Sequence, residues 1–93
     1  MNISKSIFDL SSDELKVIFK ATYGNRFDLS QDFMINYEGD DECGYVSMYC
    51  NNTGYHLTVF NNYYMSFDSD LYPIRKINML SIYSALIEIG AIQ

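Results

Sequence analysis

Alternating side chains between Phe33 and Phe67 limit most strongly what this chain can fold into. In four short segments the residues fall into two alternating sets, and a period of two is typical of strands with one buried face. The segments lie close enough together to be joined by hairpin loops of about 2–5 residues. The pattern predicts an antiparallel meander of three or four strands, over 33–38, 45–50, 55–60 and 63–67.

Polar residues that favour turns separate these segments. Glu38–Glu42 is acidic and contains a glycine, Asn51–Gly54 is a strong hairpin signal, and Asn61–Asn62 is a second candidate for a tight turn. In the segment from 45 to 50, one alternating set is apolar and ends at Cys50. We expect that set to face the core, with the tyrosines of the other set half exposed.

Two helices are predicted, one before and one after the strands. Ser11 and Glu14 have the spacing of a capping box, so the first helix is expected over 12–23. Pro73 suits the first turn of a last helix that runs to about Ile89. Apolar residues nearly encircle that helix, which predicts burial on more than one side. The expected fold class is α+β, in the order α-β-β-β-β-α, with both helices on one face of the sheet.

The size of the chain indicates one domain, residues 1–93, and its 48% hydrophobic content argues against disorder. No apolar stretch reaches the roughly 18–20 residues needed to span a bilayer, and the N-terminus has no signal-peptide pattern. We therefore expect a cytoplasmic protein, in the host cell cytoplasm if the chain is phage-encoded. That setting predicts that Cys43 and Cys50 are free thiols, with at least one in the core.

Charge is divided along the chain. The 48 residues from Phe27 to Ile74 contain eight acidic and eleven aromatic residues but no Lys or Arg, and all six basic residues lie outside this stretch. Affinity for nucleic acids comes largely from Lys and Arg side chains that neutralise phosphates, so direct binding of DNA or RNA is not expected. An acidic, Tyr-rich surface favours a protein partner with a basic face.

Motifs that signal catalysis or a cofactor do not occur in the sequence. It contains no phosphate-binding glycine loop, zinc-ligand spacing or dinucleotide fingerprint, so we expect no enzyme activity, no cofactor and no metal. His56 is the single histidine and lies across the Asn51–Gly54 turn from Cys50. A pair of His56 with Cys50 or Cys43 is therefore the one enzymatic alternative, beside an ordinary strand histidine.

The segment Lys5–Leu15 is similar to the first-helix entry of DNase-colicin immunity proteins. In size, acidity and lack of a catalytic motif, the whole chain resembles two groups of inhibitor. One group is the phage-encoded antagonists of nucleic-acid enzymes, including anti-CRISPR proteins, and the other is the immunity proteins that neutralise nuclease toxins. Immunity proteins of the colicin type are all-helical, and the strand pattern from Phe33 to Phe67 departs from them.

We expect a small acidic inhibitor that occupies a basic, nucleic-acid-binding surface of a larger enzyme. A nuclease or a CRISPR effector is the expected partner, and a toxin-immunity protein is the alternative within this class. In an extended segment, Glu38, Asp40 and Glu42 would project on one side about 6.7 Å apart. The expected contacts are Glu38, Asp40, Asp41, Glu42, Asp68 and Asp70, with Tyr45, Tyr49, Tyr55, Tyr63 and Tyr64 as aromatic anchors.

Self-assembly is the alternative of another class. The last helix has an apolar surface wide enough for a homo-oligomeric scaffold or interaction protein without an inhibitory role. Met79, Tyr83 and Leu86 are the expected contacts of such a homodimer. Neither alternative requires a membrane or a nucleic acid as a direct partner.

Overall fold

The computed structural model describes residues 2–24, 33–51, 54–68 and 78–93. Their elements follow the predicted order α-β-β-β-β-α, which confirms the α+β fold class, and a short 3₁₀ helix, Ile7–Asp9, comes before the first α-helix. The helices are α1 (Ser12–Tyr23) and α2 (Met79–Glu88). The strands are β1 (Phe33–Glu38), β2 (Tyr45–Cys50), β3 (Tyr55–Phe60) and β4 (Met65–Asp68).

The four strands form one antiparallel sheet in the order β1-β2-β3-β4, as a meander does. Val46 lies opposite Tyr37 of β1 and Val59 of β3, so side chains in the phase of Val46 share one face of the sheet. That face is turned towards the helices, whereas Tyr45 and Tyr49 are exposed on the other. The predicted division of β2 is confirmed. The face turned away from the helices is called the open face below.

β4 begins two residues later than the sequence pattern predicts. Tyr63 and Tyr64 belong to the preceding turn. The N–H of Tyr63 donates to the carbonyl of Phe60, and the N–H of Phe60 donates to the carbonyl of Tyr64, both at 2.8 Å. Tyr63 has a φ of 63°, which a strand does not accommodate. Tyr63 suggested a strand because it is in phase with Met65 and Phe67. The turn places its side chain on the same face of the sheet as theirs, although Tyr63 is not part of the strand.

α1 has the predicted bounds and begins at a capping box. The Oγ of Ser11 accepts a hydrogen bond from the N–H of Glu14 at 3.2 Å, and the Glu14 carboxylate accepts one from the N–H of Ser11 at 2.9 Å. The Lys5 ammonium donates to the same carboxylate at 2.9 Å and to the carbonyl of Ile89, just after α2, at 3.1 Å. Lys5 therefore links the start of α1 to the end of α2, where a cation is favoured. The hydrogen bond from Lys5 and those from Ser11 hold the pKa of Glu14 below its ordinary value.

The hydrophobic core lies between the sheet and the helices. Phe19 of α1 packs edge to face against Phe33 of β1, with ring centroids 5.0 Å apart, and Tyr23 stacks on Tyr55 of β3 at 4.9 Å. Aromatic pairs favour such tilted or offset contacts over a face-to-face sandwich. Other large side chains that are fully buried are Ile7, Leu15, Ile18, Met48, Leu57, Ile82 and Ile92.

α2 is buried on one side only. Ile82, Ala85 and Leu86 face the core, so Leu86 is wrong as an expected homodimer contact, whereas Met79 and Tyr83 are exposed. The burial expected on a second side is not found within the chain. Four apolar residues, here called the α2 stripe, remain exposed: Met79 by 59%, Leu80 by 79%, Tyr83 by 44% and Ile87 by 48%. The prediction that this helix starts near Pro73 is wrong: α2 begins at Met79, and Asn78 caps it with an extended backbone and an Oδ1 that accepts from the N–H groups of Leu80 and Ser81 at 3.0 and 3.3 Å. Pro73 itself lies outside the described residues. Within the described ranges, no helix is long and apolar enough to cross a bilayer.

Candidate protein-binding surface

An exposed acidic turn, defined as Glu38–Glu42, runs from the last residue of β1 into the loop before β2. Gly39 lets the chain reverse, since its φ of 82° is left-handed and a Cβ there would lie 2.5 Å from the carbonyl oxygen of Cys43. Asp40 then closes the turn, because one of its carboxylate oxygens accepts from the N–H groups of Glu42 and Cys43, both at 3.0 Å. The shape of the acidic turn therefore depends on Gly39 and on the Asp40 carboxylate.

Neighbouring segments hold the acidic turn in place. The Ser6 hydroxyl donates to the Asp41 carboxylate at 2.7 Å, and the Asn61 side-chain amide donates to the Asp41 carbonyl at 2.8 Å. At the base of the turn, buried Gly44 packs so tightly against the Phe8 ring that a Cβ would overlap it. A partner does not have to order this turn, and preorganisation of that kind lowers the entropic cost of binding.

The acidic turn differs from the extended row of carboxylates that the sequence suggested. Glu38 ends β1, the chain reverses at Gly39, and the Asp40 carboxylate is engaged by the backbone of the turn. The assumption of an extended segment was therefore wrong, and Glu38, Asp40 and Glu42 do not form an evenly spaced row. The residues of the turn are all exposed, so their acidic surface is accessible to a partner.

An aromatic row, defined as Tyr45, Phe60 and Tyr64, lies beside the acidic turn on the open face. The sheet register places Glu38 opposite Tyr45 and Tyr45 opposite Phe60. The ring centroids of Tyr45 and Phe60 are 6.1 Å apart, and those of Phe60 and Tyr64 are 5.9 Å apart. Glu38 therefore stands at one end of three neighbouring aromatic rings, next to the rest of the acidic turn.

Carboxylates beside exposed aromatic rings suit the side chains of Arg and Lys. A cation over an exposed ring gains about 0.5–1 kcal/mol, and a carboxylate adds a charge-assisted hydrogen bond. From residue 33 to residue 68 the sequence has no Lys or Arg, so no basic residue of the sheet competes for these groups. The combination fits a basic protein surface and repels a phosphate backbone.

Two of the five predicted aromatic anchors belong to the core. Tyr55 is 8% exposed and stacks on Tyr23, and Tyr63 is 6% exposed and donates its hydroxyl to the carbonyl of Lys5 at 2.8 Å. A buried ring does not reach a partner in the folded protein, so Tyr55 and Tyr63 are withdrawn from the expected contacts. The exposed anchors are Tyr45, Tyr49 and Tyr64, and their contact with a partner stays a prediction.

Burial gives Tyr63 a distinct titration. It raises the pKa of Tyr63 to about 12, with a smaller contribution from the nearby charges of Glu14 and Asp9. Because this folded pKa lies above the ordinary value of 10.0, the neutral phenol stabilises the fold below pH 10, and that stability is lost as the pH rises through about 12. The pKa of Tyr37 is also raised, by burial and by the Glu14 charge, so an ultraviolet titration should show late phenolate steps of which Tyr63→Phe removes the latest. If the latest step survives in that variant, the burial of Tyr63 is contradicted.

The other predicted acidic contacts belong to a different part of the chain. Asp68 is the last residue of β4 and lies opposite His56 in the sheet register. Glu38 lies opposite Tyr45, at the start of β2, whereas His56 lies opposite Tyr49, near its end. The sheet therefore does not bring Asp68 to the acidic turn, and Asp70 lies outside the described residues.

The alternative Cys–His pair does not form in this geometry. Cys50 is buried on the helix side of the sheet, while His56 lies on the open face with its ring centroid 6.1 Å from that of Tyr49. Cys43 is exposed in the β1–β2 loop, at the opposite end of the sheet from His56. Both cysteines are free thiols with one in the core, as predicted. The described part of the chain contains no cluster of three or more potential metal ligands.

Two further residues of the open face were missed by sequence reasoning. Phe60 completes the aromatic row, and Met34 of β1 is 58% exposed. A signal for Phe60 was present, because it alternates in phase with His56 on the polar side of β3. Met34 carried the same signal, because it alternates in phase with Asn36 and Glu38 on the polar side of β1.

Comparison with known proteins does not assign a family. No protein-family model, curated protein or solved structure matches this chain.

Proposed function

We propose that this protein is a small acidic inhibitor that binds a basic, nucleic-acid-binding surface of a larger protein. The observation that carries the proposal is the sheet register, which places Glu38 of the acidic turn opposite Tyr45 of the aromatic row. The carboxylates attract Arg and Lys, and the rings supply large, rigid contact area at low entropic cost.

The distribution of charge supports binding of the partner on the sheet side of the molecule. Among the described residues, Lys5, Lys16 and Lys20 are the basic ones, and all three lie on α1 or shortly before it. The net charge is −6, and the sheet side of the molecule carries the acidic turn. A positively charged partner is therefore attracted to the sheet side, and such steering raises association rates about 10–1,000-fold.

The partner class follows from the chemistry of the surface. Channels that hold nucleic acids are lined by Arg and Lys, as in nucleases and in the guide channel of CRISPR effectors. A rigid acidic turn seated in such a channel excludes the nucleic acid by occupying the same cations. Inhibition of this kind fits a phage-encoded antagonist and equally a toxin-immunity protein, both of which act by binding.

Affinity capture followed by mass spectrometry tests the proposal. The wild-type protein is expected to retain a nucleic-acid-binding protein, and bait with Glu38→Lys and Glu42→Lys is expected to lose it. Glu88→Lys is the control, because Glu88 is an exposed acid on α2, away from the open face. Retention of the same partner by the Glu38→Lys, Glu42→Lys bait would contradict the proposed surface.

A further inference from the structure

The exposed α2 stripe adjoins an apolar groove, and we propose that the two together form the interface of a symmetric homodimer. The groove has a volume of about 400 Å³ and lies between α2 and the β3–β4 turn with β4. Its walls include Tyr64, Met65, Phe67, Met79, Leu80 and Tyr83. The proposal does not rest on the proposed function: the acidic turn lies elsewhere, and of the residues assigned to the open face only Tyr64 also lines the groove.

The chemistry of the groove selects an uncharged occupant. None of the described residues that line it is charged, and the nearest acid on the exposed side of α2 is Glu88 in the last turn. A basic partner of the kind proposed for the open face finds no carboxylate here. A second copy presents the same uncharged face, so the net charge of −6 on each chain is kept away from the centre of the contact.

The shape of the surface is self-complementary. In a two-fold dimer one patch must supply both the projecting side chains and the space that receives them. Leu80 is 79% exposed and projects from α2, and the groove beside it has room for a large apolar side chain. Leu80, Tyr83 and Ile87 follow the three- and four-residue steps of a helix-packing seam, so α2 of one copy can lie along the groove of the other.

The area available matches what a modest dimer needs. Five large apolar side chains, namely the α2 stripe and Tyr64, are 44–79% exposed. Together they offer on the order of 500 Å² of apolar surface per copy, if each large side chain contributes about 150–250 Å² when fully buried. A standard interface buries about 800 Å² per partner. The part not supplied by these apolar side chains would come from a polar rim around them. A contiguous exposed patch of this size commonly marks an interaction site.

Sedimentation equilibrium of the full chain across the micromolar range tests the dimer. The wild-type protein is expected to approach the dimer mass with rising concentration, and Leu80→Glu is expected to raise the dissociation constant at least tenfold, because it places two carboxylates in an apolar contact. Ser12→Glu adds the same charge in the first turn of α1, where an acid is tolerated, and should leave the dimer unchanged.

Two outcomes would overturn the dimer. One is a wild-type monomer at every concentration, and the other is a Leu80→Glu variant that associates as tightly as the wild type. Tyr83→Lys provides a second variant in the α2 stripe, and circular dichroism establishes that each variant is folded. If the wild type is monomeric and Leu80→Glu unfolds it, the stripe is covered within its own chain and the dimer is refuted.

Discussion

Reversal of two charges in the acidic turn, Glu38→Lys with Glu42→Lys, is expected to slow association with the captured partner by about 10–100-fold at low ionic strength. Both side chains are exposed, and Glu38 lies at the end of the aromatic row. The change replaces attraction by repulsion where a basic surface first meets the protein. Asp40 is left intact because its carboxylate closes the turn, so the variant changes charge while the shape of the turn is kept.

Stopped-flow association at several ionic strengths separates this effect from loss of fold. The difference between wild type and variant should shrink as salt rises, since the Debye length falls from about 10 Å at 0.1 M to about 3 Å at 1 M. Glu88→Lys changes charge on α2 and should alter the rate much less. If Glu88→Lys slowed association as much as either single substitution in the acidic turn, net charge alone, not this surface, would attract the partner.

Gly44→Ala is expected to destabilise the protein by about 2–3 kcal/mol, because overpacking of a tight contact forces backbone and side chains apart. A Cβ on Gly44 would overlap both the carbonyl oxygen of Asp40 and the ring of Phe8. The Asp40 carbonyl belongs to the backbone of the acidic turn and cannot move alone. The substitution should therefore weaken partner binding as well as folding.

Urea unfolding of Gly44→Ala beside Gly54→Ala measures this contribution. Gly54 has a φ of 74° but open space around its Cβ position, so alanine there costs only backbone strain, about 1–2 kcal/mol. Both variants should keep the wild-type dependence of unfolding free energy on urea. If Gly44→Ala were no more destabilising than Gly54→Ala, the tight base of the acidic turn would be contradicted.

Local sequence patterns predicted the elements well because each depends on neighbours in the chain. The Ser11 and Glu14 spacing is a contact within four residues, and the structure forms both of its hydrogen bonds. The alternation along β2 and β3 likewise records one buried face, which the sheet register reproduces. The bounds of β4 were misplaced, because a turn and a strand present Tyr63 to the same side. The start of α2 was also misplaced, since Asn78 caps it and it begins at Met79.

The binding surface was predicted less completely than the secondary structure. Tyr55 shares the phase of Leu57 and Val59, so the alternation of β3 places it in the core, although its aromatic ring suggested a contact with a partner. The burial of Tyr63 depends on a hydrogen bond to Lys5, 58 residues away in the chain, and no local pattern encodes it. The Asp40 carboxylate accepts hydrogen bonds from the backbone of its own turn, and a count of charges does not reveal this.

Competition for the captured partner tests the central claim most directly. A fluorescent oligonucleotide bound to the partner is titrated with this protein, and displacement is followed by fluorescence anisotropy. We predict that the wild-type protein displaces the oligonucleotide completely and that the Glu38→Lys, Glu42→Lys variant requires at least about tenfold more protein, an effect of about 1.4 kcal/mol. A stable ternary complex, in which this protein and the oligonucleotide bind the partner together, would contradict inhibition through the basic surface.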